Sequence, residues 1–154
     1  MIVKSKLWHY LKLIEQPLHE LHSLAINSFY GFGDLEHWAI DAYKQQMVSW
    51  TLIDDEGFPI GVFALNLIRP KVAYAWAVGT PEALTKYPEW SPFIRTTFDD
   101  LFERTDIHRV ECNVVSGFAA AERTVLRYGF ELEGTQKMAG SNKEDALLYA
   151  RTVP

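Results

Sequence analysis

The stretch from His108 to Phe130, HRVECNVVSGFAAAERTVLRYGF, constrains this chain more than any other. His108 to Ser116 is rich in Val and carries almost no helix signal, which predicts a strand. Ser116-Gly117 breaks it. Ala119 to Tyr128 then combines Ala, Leu, Arg and Glu in the proportions a helix favours. Gly129 is placed to stop that helix in the left-handed region, and Phe130 opens the next strand. A strand, a helix and a strand in immediate succession commit this half of the chain to a layered arrangement of helix on sheet.

The rest of the chain supplies material for one such domain over residues 1–154. It has 154 residues, 48% of them hydrophobic and 23% charged, enough apolar content for a substantial core. The formal charge of −5 argues against a nucleic-acid surface, which would need clustered Lys and Arg. No apolar run is long enough to span a membrane, and the opening MIVKSKLWHY is too polar for a signal peptide. Cys112 is the single cysteine, so no internal disulfide forms, in keeping with a reducing cytoplasm.

Taken in order, Ile2 to Trp8 alternates weakly, as a first strand does. Pro17 opens a helix with a stripe at Leu18, Leu21, Ala25 and Phe29. Tyr30-Gly31-Phe32-Gly33 is a break. Asp34 is an N-cap for a second helix with a stripe at Leu35, Trp38, Ala39, Ala42 and Tyr43. Met47 to Ile53 reads as a strand, Asp54-Asp55-Glu56-Gly57 as a hairpin turn, and Pro59 to Ile68 as a strand covered on both faces. Val72 to Val78 is the next strand. Ser91-Pro92 looks like a helix start, with Ile94, Phe98, Leu101 and Phe102 on its buried side. Phe130 to Lys137 and Ala146 to Val153 close the chain as a strand pair.

These residues resemble the GCN5-related N-acetyltransferase (GNAT) superfamily, and within it the branch that acetylates protein N-termini, ribosomal proteins and small amines. The matching positions are Arg109-Val110-Glu111, Arg123, Gly129-Phe130, Glu133-Gly134-Thr135, and Asp145 with Leu148-Tyr149-Ala150. The resemblance implies an α/β (α+β) GNAT fold, a mixed sheet of six or seven strands with helices on both faces. It implies acetyl-CoA as co-substrate and a small-molecule or peptide amine as acceptor, and it allows a homodimer. The cofactor would lie where strands 72–78 and 110–116 splay apart, held by Trp76, Val78, Gly79, Ser91, Arg95 and Arg123. A strand N–H near Val78 would meet the oxyanion. Glu111 and Ser116, on the splayed strand, are the catalytic candidates.

The sequence departs from the family pattern where phosphates normally bind. The glycine-rich loop that lets a pyrophosphate approach helix N–H groups corresponds to residues 79–92, which hold three prolines and two glutamates instead. The family's Asn and Ser before the last helix fall on Phe118 and Ala121, its general-acid Tyr on Val125, and its fourth-strand Glu near Ala73. Acetyl-CoA is therefore expected to bind more weakly than on a glycine loop, with Lys86 and Arg95 as substitute cations. The alternative is a non-catalytic binding or structural module that has lost CoA, like the small GNAT-like proteins of phages and prophages. Tyr128 and Cys112 are expected in the core. His19 and His22 have metal-compatible spacing but no third ligand, so they are expected on the solvated surface and no metal is expected.

Overall fold

The computed structural model describes residues 1–29 and 34–154, so the break expected at 30–33 lies outside the described residues. The chain begins with β1 (Ile2–Lys4) and turns at once into α1 (Leu7–Ile14). The alternation read across Ile2 to Trp8 is thus a strand for only 3 residues. His9, Tyr10 and Leu13 are buried together on one helical face, and a buried polar His9 is what hid that stripe. The next helix, α2 (Glu20–Phe29), starts three residues beyond Pro17. Asp34 caps α3 (Leu35–Gln45) as expected, its carboxylate accepting the Glu36 N–H at 3.0 Å.

A meander of β2 (Val48–Ile53), β3 (Pro59–Arg69) and β4 (Val72–Gly79) follows, with Gly57 at φ 89° in the first turn. The connection after β4 differs from the expected one. Thr80 caps a short α4 (Pro81–Thr85), and α5 (Tyr87–Arg104) begins four residues before Ser91. Ser91 is therefore not an N-cap, and Pro92 lies inside the helix. An interior proline costs about 3 kcal/mol. The buried side chains Trp90, Ile94, Phe98 and Leu101 each return about 1.5–3 kcal/mol. Packing therefore outweighs the proline.

β5 (Arg109–Val115), α6 (Ala119–Arg127), β6 (Glu131–Gln136) and β7 (Ala146–Thr152) complete the chain. Gly129 ends α6 with φ 85°. All seven strands form one sheet in the order β1-β2-β3-β4-β5-β7-β6, antiparallel except for the β4–β5 pair. Alternation along the strands sends side chains to opposite faces. Val62 and Val78 pack under α1, α2 and α3 with Tyr10, Leu13, Ile26 and Trp38. Phe63, Ala75, Cys112 and Val114 pack under α5 and α6 with Phe98 and Tyr128. Helices therefore cover both faces of a mixed seven-stranded sheet. Among the described residues, no helix is long and apolar enough to cross a membrane.

Candidate active site

The functional geometry starts where β4 and β5 part. Their parallel register runs through Val72↔Arg109, Ala73↔Val110 and Tyr74↔Glu111 and stops there. Beyond those pairs the strands splay, and a cleft of about 460 Å³ opens between them. Trp90 and Phe98 of α5, Val125 of α6 with Tyr128 just beyond its end, and Leu21 and His22 of α2 are among its walls. Backbone alternation decides what faces this gap. Thr80 N–H donates to Ile60 C=O on the β3 side at 2.9 Å, so the N–H and C=O groups of Gly79 and Ala77, beyond the paired part of β4, point the other way, into the gap.

The fold is shared with solved proteins. A ribosomal-protein-alanine N-acetyltransferase from Brucella melitensis superposes with a TM-score of 0.72 at 16% identity, covering 99% of each chain. The ribosomal-protein-S18-alanine N-acetyltransferase from Escherichia coli gives 0.70 at 15% identity, over 99% of this chain and 93% of that one. A phosphinothricin acetyltransferase from Sinorhizobium meliloti, in complex with AcCoA, gives 0.74 at 13% identity, over 99% of this chain and 88% of that one. The chain has the GNAT fold. No protein-family model and no curated protein sequence matches it.

Within this GNAT frame the expected residues do not all reach the cleft. Trp76, Val78, Gly79 and Arg123 line it. Trp76 is held edge-on by Tyr10 and Trp38, and its Nε1–H donates to Asn66 Oδ1 at 3.3 Å. Ser91 lies behind the wall in α5, where its Oγ accepts the Tyr128 hydroxyl at 3.2 Å, while Tyr87 O–H donates to Tyr128 at 2.7 Å. Burial first, and then Tyr87, push the Tyr128 phenol above its ordinary pKa against the pull of Ser91, so it stays protonated. Arg95 donates to the Arg127 C=O at 3.4 Å and ties α5 to the end of α6.

Glu111 and Ser116 both lie outside the cleft walls. Glu111 stands in the paired part of β5, where Arg69 Nη2 and Arg109 Nε reach one carboxylate oxygen at 2.6 and 2.9 Å. Arg109 also clamps Glu133. Burial raises the Glu111 pKa, but the hydrogen bonds and charges of the two guanidiniums outweigh it and hold the carboxyl below its ordinary value. A carboxylate so held is a poor proton acceptor. Ser116 is in the turn after β5, its N–H donating to Asp145 C=O at 3.0 Å. Cys112 lines the cleft but is buried, which pushes its thiol up to about 12.

Two histidines correct the surface reading. His19 N–H donates to the Gly79 C=O at 2.9 Å, and Gly79 N–H donates to His22 Nδ1 at 2.9 Å. The start of α2 thus docks on the open end of β4, and Phe118 stacks on His19 with ring centroids 5.2 Å apart and planes 3° from parallel. Gly79 has therefore already spent both backbone groups on α2. The H-x-x-H spacing was visible in the sequence, but nothing there said which backbone it would meet. Among the described residues, no three His, Cys, Asp or Glu side chains could hold a metal.

The fit of a CoA-type ligand is uneven along its length. The splayed strands and apolar walls suit an amide-bearing arm. The connection after β4 does not form a phosphate cradle. Thr80 Oγ1 is directed at the Ala83 N–H, Pro81 lacks an N–H, and Lys86 is paired with Glu82 at 3.3 Å. Cations at the cleft come instead from α6, as Arg123 and Arg127. Sequence reasoning missed Arg127.

Proposed function

We propose that this chain is an N-acetyltransferase using acetyl-CoA as donor and an amine as acceptor. The observation that carries the reading is the parallel β4–β5 pair that separates after Tyr74 and Glu111 over an apolar cleft. The named activities of the superposed proteins support it. Bound acetyl-CoA would supply an activated acetyl group. The residues that would hold it are Ala77 through strand N–H and C=O groups, Val78 and Trp76 as walls, and Arg123 and Arg127 as partners for phosphate charge.

The acceptor side is the α2 face. A second recess of about 230 Å³ lies there, bounded by Tyr74, Asn113 and Gln136 under Ala25 and Phe29, and it shares Ala25, Asn113 and Val115 with the main cleft. Its described polar groups are uncharged. Among the described residues no carboxylate lines the cleft, and Tyr128 and Cys112 stay protonated. A site without a strong base favours an amine that is already partly neutral. An α-amine of pKa about 7.7–8.0 is roughly a tenth to a sixth neutral at pH 7, whereas a lysine amine of pKa about 10.4 is neutral less than about a thousandth of the time. The preferred acceptor is therefore an α-amine at a chain terminus or on a small molecule.

Calorimetric titration with acetyl-CoA, followed by mass spectrometry of peptides carrying either a free α-amine or only a lysine amine, tests both parts. Acetylation confined to the α-amine is expected. Acetylation of lysine alone would overturn the acceptor class, and no binding at millimolar acetyl-CoA would make the chain a non-catalytic module.

A further inference from the structure

His22 is the imidazole in the cleft wall that none of the roles above uses. Its Nδ1 lies 2.9 Å from Gly79 N and 3.1 Å from Gly79 O. The carbonyl already accepts the His19 N–H at 2.9 Å, whereas the Gly79 N–H faces the gap, where β5 has left no ladder partner. The N–H to Nδ1 bond therefore fixes the neutral tautomer with its hydrogen on Nε2. Burial favours that neutral ring, the nearby Gly79 C=O opposes it, and His19 adds to the effect of burial, leaving the pKa below its ordinary value. Other charged or titratable groups on the cleft are Arg123 and Arg127 of α6, Tyr87 of α5, Cys112 of β5, and Tyr128.

Acetyl transfer gathers negative charge on the thioester oxygen, and preorganised donors aimed at that charge are among the largest contributors to catalysis. The strand N–H expected to serve this purpose is spent on His22. It is not lost, because a ring that accepts at Nδ1 is polarised to donate more strongly at Nε2. Resting on the acetyltransferase reading above, we infer that His22 is a catalytic residue, with Nε2–H relaying the Gly79 N–H across the ring to the acetyl carbonyl oxygen. The ring neither takes nor gives a proton.

Asparagine at this position keeps an acceptor near Nδ1 and removes the Nε2 donor, whereas glutamine restores an amide N–H near Nε2. The test compares the full-length wild type, His22→Asn and His22→Gln, after thermal unfolding confirms that each is folded. Nitrogen-15 NMR of the imidazole in the protein alone should show the Nε2–H tautomer at pH 7; the Nδ1–H tautomer would overturn the relay. His22→Asn should weaken acetyl-CoA binding by about 2- to 10-fold while leaving CoA binding unchanged. It should lower kcat by about 10²- to 10³-fold, and His22→Gln should recover at least a tenth of the wild-type rate. Wild-type turnover from His22→Asn would sink His22 alone. Equal inactivity of folded Asn and Gln variants would make the ring a base and overturn the donor role. A wild type that binds no acetyl-CoA removes both the acetyltransferase reading and this one, and is recognised before any variant is compared.

Discussion

Gly61 and Gly79 lie directly opposite each other in β3 and β4, and the helices press onto the sheet at this bare spot. A Cβ added at Gly61 would lie 3.0 Å from the Trp90 ring tip and 3.3 Å from Ala83 Cβ. Gly61→Ala therefore sets two effects against each other. Alanine in a strand gains about 0.5–1 kcal/mol over glycine, while overpacking a tight site costs about 1–3 kcal/mol. The indole is wedged between α5 and the sheet with only 6% of its surface exposed, so the overpacking should prevail, by about 1 kcal/mol. For a domain of this size that lowers Tm by about 2–4 °C. The decisive measurement is a double-mutant cycle by thermal and urea unfolding. Trp90→Ala should cost about 3–5 kcal/mol on its own. In its presence Gly61→Ala should become neutral or stabilising, a coupling of about 1–2 kcal/mol between the sites. A cost of Gly61→Ala that is unchanged in the Trp90→Ala background would refute the contact as its cause.

Three further outcomes follow from the same geometry. The depressed pKa of Glu111 means that its stabilising contribution is complete above the ordinary carboxylate value of 4.5 and is lost as pH falls through the lower folded value. Urea midpoints measured from pH 7 to pH 3 should therefore fall less steeply in Arg109→Leu than in the wild type, and parallel curves would contradict the ion-pair assignment. Cys112, buried with its thiol raised to about 12, should resist iodoacetamide at pH 8 in the native protein and react readily in urea; rapid native labelling would show that the cleft opens further than described. Arg123→Ala should weaken acetyl-CoA about 10-fold or more, the worth of one charge-assisted hydrogen bond, and should flatten the salt dependence of binding. An unchanged Kd would place the phosphates elsewhere.

The carboxyl half was readable in advance because its signals are local. Gly129 sits at positive φ where a helix ends, and the Val-rich run of β5 buries every second residue at Val110, Cys112 and Val114. The amino half was less legible, because α1 sets a buried His9 and Tyr10 among β-prone residues. Local capping cues also compete. Ser91-Pro92 reads as a helix start, yet Thr80-Pro81 and Pro88 precede it, and burial of Trp90 draws the helix back past Ser91. The site depended on still longer-range facts. Glu111 looks like an available base until Arg69, forty-two positions away, closes on it. His22 looks like a surface residue until Gly79, fifty-seven positions away, presents its N–H.

The missing glycine loop and the docked histidines share one cause at the end of β4. A glycine loop would leave that end open to an anion. Here Thr80 turns the chain immediately into α4, which brings Ala83 within 2.9 Å of where a Gly79 Cβ would be, while His19 and His22 cover the other side of the same residue. Backbone donors that could have cradled a phosphate are thus consumed in making the junction rigid. The positive charge left for a phosphate lies on the long side chains of α6, in a chain of net charge −5. Such side chains must be immobilised on binding, at about 0.5–1.5 kcal/mol each, so they grip less well than fixed N–H groups. On the proposed function, recognition of a CoA-type ligand here therefore rests on the apolar arm-binding cleft more than on fixed backbone donors to the phosphates.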